Sequence, residues 1–282
     1  MGQRELVALR STPDGSVLEL MYDYVSGTTV LVKLDVNGTP LWQRTIAGPA
    51  SVFPGDIAAT SDNGAVVLIG WSSLLVCFDS GGSVVWTRAL TNVAARSLSV
   101  TPSDEIVVVG LYSPPGEGSR PFVAKLTSAG AISAAFHIPP NPDVEFNSPF
   151  GFWDACGTAD GGFAVAGSFD DAQTGIAQAF VGKLGSAGNA EWGRAFGNGF
   201  MFRVREVQGV GVTAVGMLTN DNLLVHIDST GTVLNALQQN GLLNDPSQIT
   251  AMPSGGPRPP TSLATAVTFF RLTPHKRFGS AM

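Results

Sequence analysis

Five short stretches of this chain are almost continuously apolar: residues 17–22, 65–70, 106–110, 163–167 and 212–216. They lack the two-residue alternation of a half-exposed strand, so each is expected to be a strand covered on both faces. Four of the five end in glycine, at Gly70, Gly110, Gly167 and Gly216, where a neighbouring backbone can come close. Turn residues precede three of them, as Pro13-Asp14-Gly15, Asp62-Asn63-Gly64 and Asp160-Gly161-Gly162. A second β-rich stretch follows each one, at residues 30–34, 74–78, 122–126, 180–184 and 223–227. No 3.6-residue helical period is sustained anywhere along the chain.

The second stretch leads into a motif that recurs. Asp35 is followed by Gly38 three residues on and by Trp42 seven residues on, and Asp79, Gly82 and Trp86 repeat all three. Thr127 and Gly130 keep the turn but have Ala134 in place of the tryptophan. Gly185, Gly188 and Trp192 lack only the aspartate, and Asp228 and Gly231 are followed by Asn235. A degraded copy at residues 270–273 has Lys276 where the glycine belongs. The anchors at 35, 79, 127, 185, 228 and 273 are 44, 48, 58, 43 and 45 residues apart, a period that signals a repeat architecture.

Each repeat divides into four short strands, a to d, with the motif forming the c-to-d hairpin. Four antiparallel strands whose two middle members are covered on both faces describe a propeller blade. A solenoid, with one strand or helix per face, does not suit such units. The fold expected is an all-β propeller over residues 1–282, with blades at about 4–46, 56–90, 96–136, 154–196, 203–237 and 247–282. The sixth is the least regular, because its strand b would hold Pro257, Pro259 and Pro260. Five blades and a C-terminal arm form the alternative. In the motif, Gly is assigned to the turn, Asp to bracing the hairpin and Trp to packing between blades, so the third, fifth and sixth copies are expected to pack most loosely.

The motif Asp35-Gly38-Trp42 with its Leu-Val-Lys-Leu lead-in, together with the run at residues 160–167 of the fourth copy, resembles the repeats of bacterial quinoprotein-like propellers and their tandem-repeat relatives. The resemblance covers most of residues 4–240 and speaks to fold alone. It implies a structural role for the tryptophan. Quinone-dependent members of that group need eight blades, an adjacent pair of cysteines and calcium-binding carboxylates. This sequence has no Cys-Cys pair, and no cofactor is expected.

Composition narrows the function classes. With 44% hydrophobic and 13% charged residues the chain can bury a large core, and 34 glycines and 18 prolines without a three-residue period suit short strands and tight turns. A net charge of −6 without a local Lys/Arg cluster gives no footprint for nucleic acid. The longest apolar stretch, residues 65–78, is broken by Gly70, Ser72 and Ser73, so no membrane insertion is expected. The first six residues do not read as a secretory signal, which implies cytoplasmic synthesis. Cys77 and Cys156 sit in apolar segments and read as buried free thiols.

In this topology the a-to-b and c-to-d turns share one face, while the long, variable connections share the other, which is expected to carry the contacts. The connection at residues 138–153 holds four prolines and the aromatics Phe146, Phe150, Phe152 and Trp153. Those rings either pack over the blade edge or present a surface for protein or sugar. The starts of the a strands carry Asp56, Arg96, Asp154 and Arg205 towards the central channel, where the two signs either neutralise each other or bind a polar ligand. Asp56 and Asp154 also admit a glycosidase reading, as acid and nucleophile. His137, His226 and His275 have no metal-ligand spacing, and no metal site is expected. These features point to a non-enzymatic structural or recognition module whose partners are other chains of a large assembly, such as a phage virion or tail. The rival reading is a propeller that binds or cleaves a surface glycan at the channel mouth.

Overall fold

A computed structural model of the chain describes residues 4–46, 54–70, 73–137, 144–145, 151–171, 174–207, 209–219 and 221–240. Among them are twenty strands and no helix. The first blade is β1 (Arg4–Ser11), β2 (Val17–Asp23), β3 (Thr28–Leu34) and β4 (Pro40–Ile46), paired antiparallel in chain order. The second is β5 (Pro54–Ala59), β6 (Ala65–Ile69), β7 (Leu74–Phe78) and β8 (Val84–Ala89). The third is β9 (Val93–Val100), β10 (Ile106–Tyr112), β11 (Arg120–Leu126) and β12 (Ile132–His137). A two-residue strand β13 (Val144–Glu145) then caps the far end of β15. The fourth blade is β14 (Gly151–Gly157), β15 (Phe163–Asp171), β16 (Ile176–Leu184) and the first part of β17 (Ala190–Val207). β17 continues without a break as the inner strand of the fifth blade, completed by β18 (Gly211–Leu218), β19 (Asp221–Asp228) and β20 (Val233–Asn240). Residues 197–202, expected to separate two blades, thus belong to one 18-residue strand. Repeated four-stranded antiparallel units of this kind make the chain a β-propeller. Residues 247–282, where the sixth copy falls, lie outside the described residues.

Adjacent blades share cores, and each core is built by alternation along the middle strands. Leu18, Leu20 and Leu31 of the first blade meet Ile57, Val67, Ile69 and Val76 of the second. Val66, Leu68 and Leu75 point the other way, onto Ile106, Val108 and Phe122 of the third. Val107, Val109 and Val123 meet Phe163, Val165 and Leu184 of the fourth, whose Ala164, Ala166 and Val181 meet Val212, Ala214 and Val225 of the fifth. The apolar runs of β6, β10 and β15 are accordingly buried on both faces, as their lack of alternation predicts. β2 departs from that expectation: its burial alternates, because Glu19 and Met21 point away from the second blade.

The repeated motif clamps one blade to the next. The indole of Trp42 covers Gly82, that of Trp86 covers Gly130, and that of Trp192 covers Gly231. Each indole N–H donates to a carbonyl of the turn it covers, on Ser80, Ser128 and Ser229, at 2.8, 2.8 and 3.0 Å. Two residues beyond the tryptophan a guanidinium adds to the grip: Arg44 and Arg88 donate to the carbonyls of Gly82 and Gly130, at 2.6 and 3.0 Å. The third copy is not the loose joint that its Ala134 implied. Phe136, at the arginine position, swings over Gly188, and Lys125 Nζ takes the Ser186 carbonyl at 3.1 Å.

The aspartates brace their hairpins. Asp35 accepts from the N–H groups of Asn37 and Thr39, and Asp228 accepts from Thr230 and Thr232, which holds both carboxyls below the usual range. At the a-to-b turns Asp14 does the same with Thr12 and Ser16, chiefly through the Thr12 hydroxyl. For Asp160 burial works against the charge, but the Lys183 ammonium, the Thr158 hydroxyl and the Gly162 N–H outweigh it and hold the carboxyl at about 2. Lys33, Lys125 and Lys183 are themselves buried in strand c, where they pair with Asp14, Glu105 and Asp160.

Two outcomes follow from this packing. A Cβ at Gly82 would stand 2.8 Å from the Trp42 ring, whereas one at Gly38 would meet nothing within 4 Å, and both backbones have φ near +80° (+79° and +81°). Gly38→Ala is therefore expected to cost about 1–2 kcal/mol of left-handed strain, and Gly82→Ala about 1–3 kcal/mol more in urea unfolding, from overpacking. Because the turn carboxyls are depressed from an ordinary 3.8, they add stability above that pH, and it is lost as pH falls through the folded-state values. Urea midpoints measured from neutral pH downwards are expected to stay level to about pH 5 and to fall steadily below about pH 4.

Candidate functional site

The inner strand of every described blade carries a β-bulge at the same place. The pairing registers skip Val7, Gly55, Arg96, Trp153 and Phe202, each of them half-buried. A bulge adds an unpaired residue and re-aims the side chains beside it. The bulges lie towards the end of the inner strand that receives the long connections. Two rows of side chains result, one inside the wall and one on its surface.

The inner row is polar and closed. Just past the bulge stand Asp56, Ser97 and Asp154 in the second, third and fourth blades. Asp56 accepts from Arg10 of the first blade at 2.7 Å, from its neighbouring Ile57 N–H at 2.9 Å and from Leu98 N–H of the third blade at 3.3 Å. Asp154 accepts from Arg205 at 2.6 Å and from Val204 N–H at 2.9 Å, both on the fifth blade. Ser97 Oγ lies 2.7 Å from a carboxylate oxygen of each aspartate, and its single proton is donated to one of them at a time. Arg10, Asp56, Ser97, Asp154 and Arg205 thus run through five consecutive blades with two charges of each sign. Burial works against the Arg205 charge, but Asp154 and Asp56 outweigh it and raise its pKa.

Asp56 and Asp154 were expected at an open channel mouth, and the structure corrects this: they are 4% and 0% exposed. Each repays its burial with an arginine and backbone N–H groups. Ser97 occupies the space between them that a substrate oxygen would need. Ser97 and Arg10 were not foreseen. The signal for Ser97 was present, since Asp56, Ser97 and Asp154 each stand four residues before a turn threonine, at Thr60, Thr101 and Thr158.

The surface row is aromatic and cationic. The Arg96 guanidinium lies 4.3 Å from the centre of the Trp153 ring, and burial lowers its pKa. Trp153 meets Phe202 edge-on at 6.1 Å, and Phe202 stacks on Phe200 at 6.3 Å and 11°. The buried indole N–H of Trp153 finds no acceptor among the described residues. Of the aromatics expected together with Trp153, Phe152 is instead buried between the third and fourth blades, and Phe146 and Phe150 lie outside the described residues. Phe200 and Phe202, which sequence reasoning did not select, take their place.

Other groups are structural. His226 Nδ1 is 2.7 Å from Thr213 Oγ1 within the fifth blade. Among the described residues no group of three His, Cys, Asp or Glu side chains could hold a metal ion. Among the described residues no helix is long and apolar enough to cross a membrane. Cys77 and Cys156 are free and buried, and burial raises their thiols to about 11 and about 12.

No protein-family model matches the sequence. No curated protein is similar to it in sequence. Among solved structures it is similar to the Dos1 propeller, at 11% identity and a TM-score of 0.50, over 85% of this chain and 63% of that one. It is also similar to prolyl oligopeptidase B from Galerina marginata, at 10% identity and a TM-score of 0.50, over 83% of this chain and 35% of that one. The chain spans less than two thirds of either, and at these identities the likeness concerns the fold alone. That fold agrees with the propeller resemblance carried by the Asp-Gly-Trp motif.

The buried row has energetic consequences. Asp154→Ala is expected to cost about 3–5 kcal/mol, because it leaves the Arg205 charge without its partner. Ser97→Ala, which leaves two carboxylates facing each other without a shared donor, is expected to cost about 1–3 kcal/mol. Urea unfolding of both variants at pH 7 measures these losses. With thiolate formation suppressed, Ellman's reagent is expected to modify neither cysteine in the native chain and both in denaturant.

Proposed function

We propose that this chain is a non-enzymatic recognition propeller, a subunit of a larger protein assembly such as a phage virion or tail. Its partner docks on the rim where the long connections emerge. The observation that carries this reading is the row Arg96, Trp153, Phe202 and Phe200, which sets a cation and aromatic rings, half-buried, on an otherwise neutralised channel wall. Aromatic and arginine side chains held rigidly in this way are the usual anchors of protein interfaces. The sequestered carboxylates support the non-enzymatic half of the reading.

A glycan at the same rim is the second reading, favoured by the exposed part of the Trp153 ring. Against it, one face of that ring is already covered by Arg96 and its border is met by Phe202, so a sugar would have to displace the guanidinium.

Photo-crosslinking in the source cell separates these possibilities. A photoreactive residue at Phe202 is expected to capture a protein, while one at Val85 on the outer strand β8 captures none. Arg96→Ala and Trp153→Ala are each expected to weaken that complex at least about tenfold, about 1.4 kcal/mol. Release of reducing ends from a polysaccharide by the purified chain would overturn the proposal.

A further inference from the structure

The described blades leave one joint of the ring unmade. Along the channel β1 packs on β5, β5 on β9, β9 on β14 and β14 on β17, and no comparable contact brings β17 back to β1 among the described residues. Five blades therefore share only four cores.

The two faces at the open joint differ from their equivalents elsewhere. Leu31, Leu75, Val123 and Val181 hold the same place in strand c, two residues before Lys33, Cys77, Lys125 and Lys183, and each is buried against the following blade. Leu224, two residues before His226, is the fifth of the set and is 38% exposed, with its cross-strand partner Leu237 of β20 exposed beside it. On the first blade Gly38 is the one turn glycine of the motif over which no ring lies, while Gly82, Gly130, Gly188 and Gly231 are all covered by the preceding blade. Val30 and Val32, which point away from the second blade, are 2% and 6% exposed yet belong to none of the four cores.

We infer that the joint is filled by this chain's own residues 241–282. The segment follows directly on β20, the outer strand of the fifth blade, so it starts where every other inner strand starts. It is nearly as long as the 43–48 residues that separate most anchors. Gly255-Gly256 repeats the Gly161-Gly162 pair of the a-to-b turn of the fourth blade, with the apolar run Ile249-Thr250-Ala251-Met252 at the distance before it that Ala155-Cys156-Gly157-Thr158 keeps at the end of β14. In the same alignment Pro257, Pro259 and Pro260 stand at the positions of Phe163, Val165 and Ala166 of β15, so the segment is expected to cover the joint without a regular second strand.

Hydrogen exchange on the full-length wild-type chain tests this directly, together with sedimentation over a hundredfold range of concentration and urea unfolding of Leu224→Arg. The expected result is a monomer in which the amides of residues 249–252 exchange as slowly as those of β1. Leu224→Arg is expected to lower the unfolding midpoint as much as Leu31→Arg does. Exchange of those amides at free-peptide rates would overturn the inference, whether or not the variant folds. So would a wild-type dimer that Leu224→Arg converts to monomer, since a second copy would then cover the face.

Discussion

A four-stranded sheet with apolar side chains on both faces cannot bury itself. Each blade here has to be held between two others, and the pattern of the whole molecule follows from that requirement. The middle strands send alternate residues forwards and backwards, so that Val66 and Val67, one bond apart in sequence, end in different cores. A residue such as Leu75 is sequestered only because the next blade is present. Stability is therefore a property of neighbouring pairs of blades, as in other repeat proteins, and the ends of the series are the places where it is most easily lost.

Apolar cores alone do not fix how one blade is rotated or offset against the next. Two polar devices do so at opposite margins of each blade. At the outer margin an indole donates to a turn carbonyl across the joint, which only one offset allows. At the channel the carboxylates of Asp56 and Asp154 collect an arginine, a serine hydroxyl and backbone N–H groups from adjacent blades. Burying such charges gives little net stability, but a misplaced blade would leave them unpaired at a cost of several kcal/mol. With those charges spent on alignment, the half-buried row from Arg96 to Phe200 remains the chemically distinctive surface of the channel. It sets a guanidinium against an indole and two phenyl rings.

Much of the fold was legible along the chain, and particular residues show why. The unalternating runs at 65–70 and 106–110 reported burial on both faces, since period is a local property that survives folding unchanged. Gly82 and Trp86 stood at fixed intervals because the hairpin that holds them is local. Phe136 was missed because its role depends on the distance to Gly188, which lies across a joint and 52 residues away in sequence. Phe152 and Trp153 are neighbours with the same aromatic character, yet one is in a core and the other on the channel wall. The bulge that divides them is set by pairing with β15, not by their own identity.

The sequence by itself therefore determined the strands, the hairpins and the repeat, since each depends on residues within a few positions of one another. It also determined that the channel strands would carry both signs of charge. Only the tertiary structure decided what those charges do. Asp56 and Asp154 are separated by most of two blades in the chain, and the curvature of the array brings both to one serine hydroxyl, turning a possible acid and nucleophile into a buried tie. The same curvature sets Arg96 over Trp153, since neighbouring inner strands converge at the channel and carry their bulges at equal height.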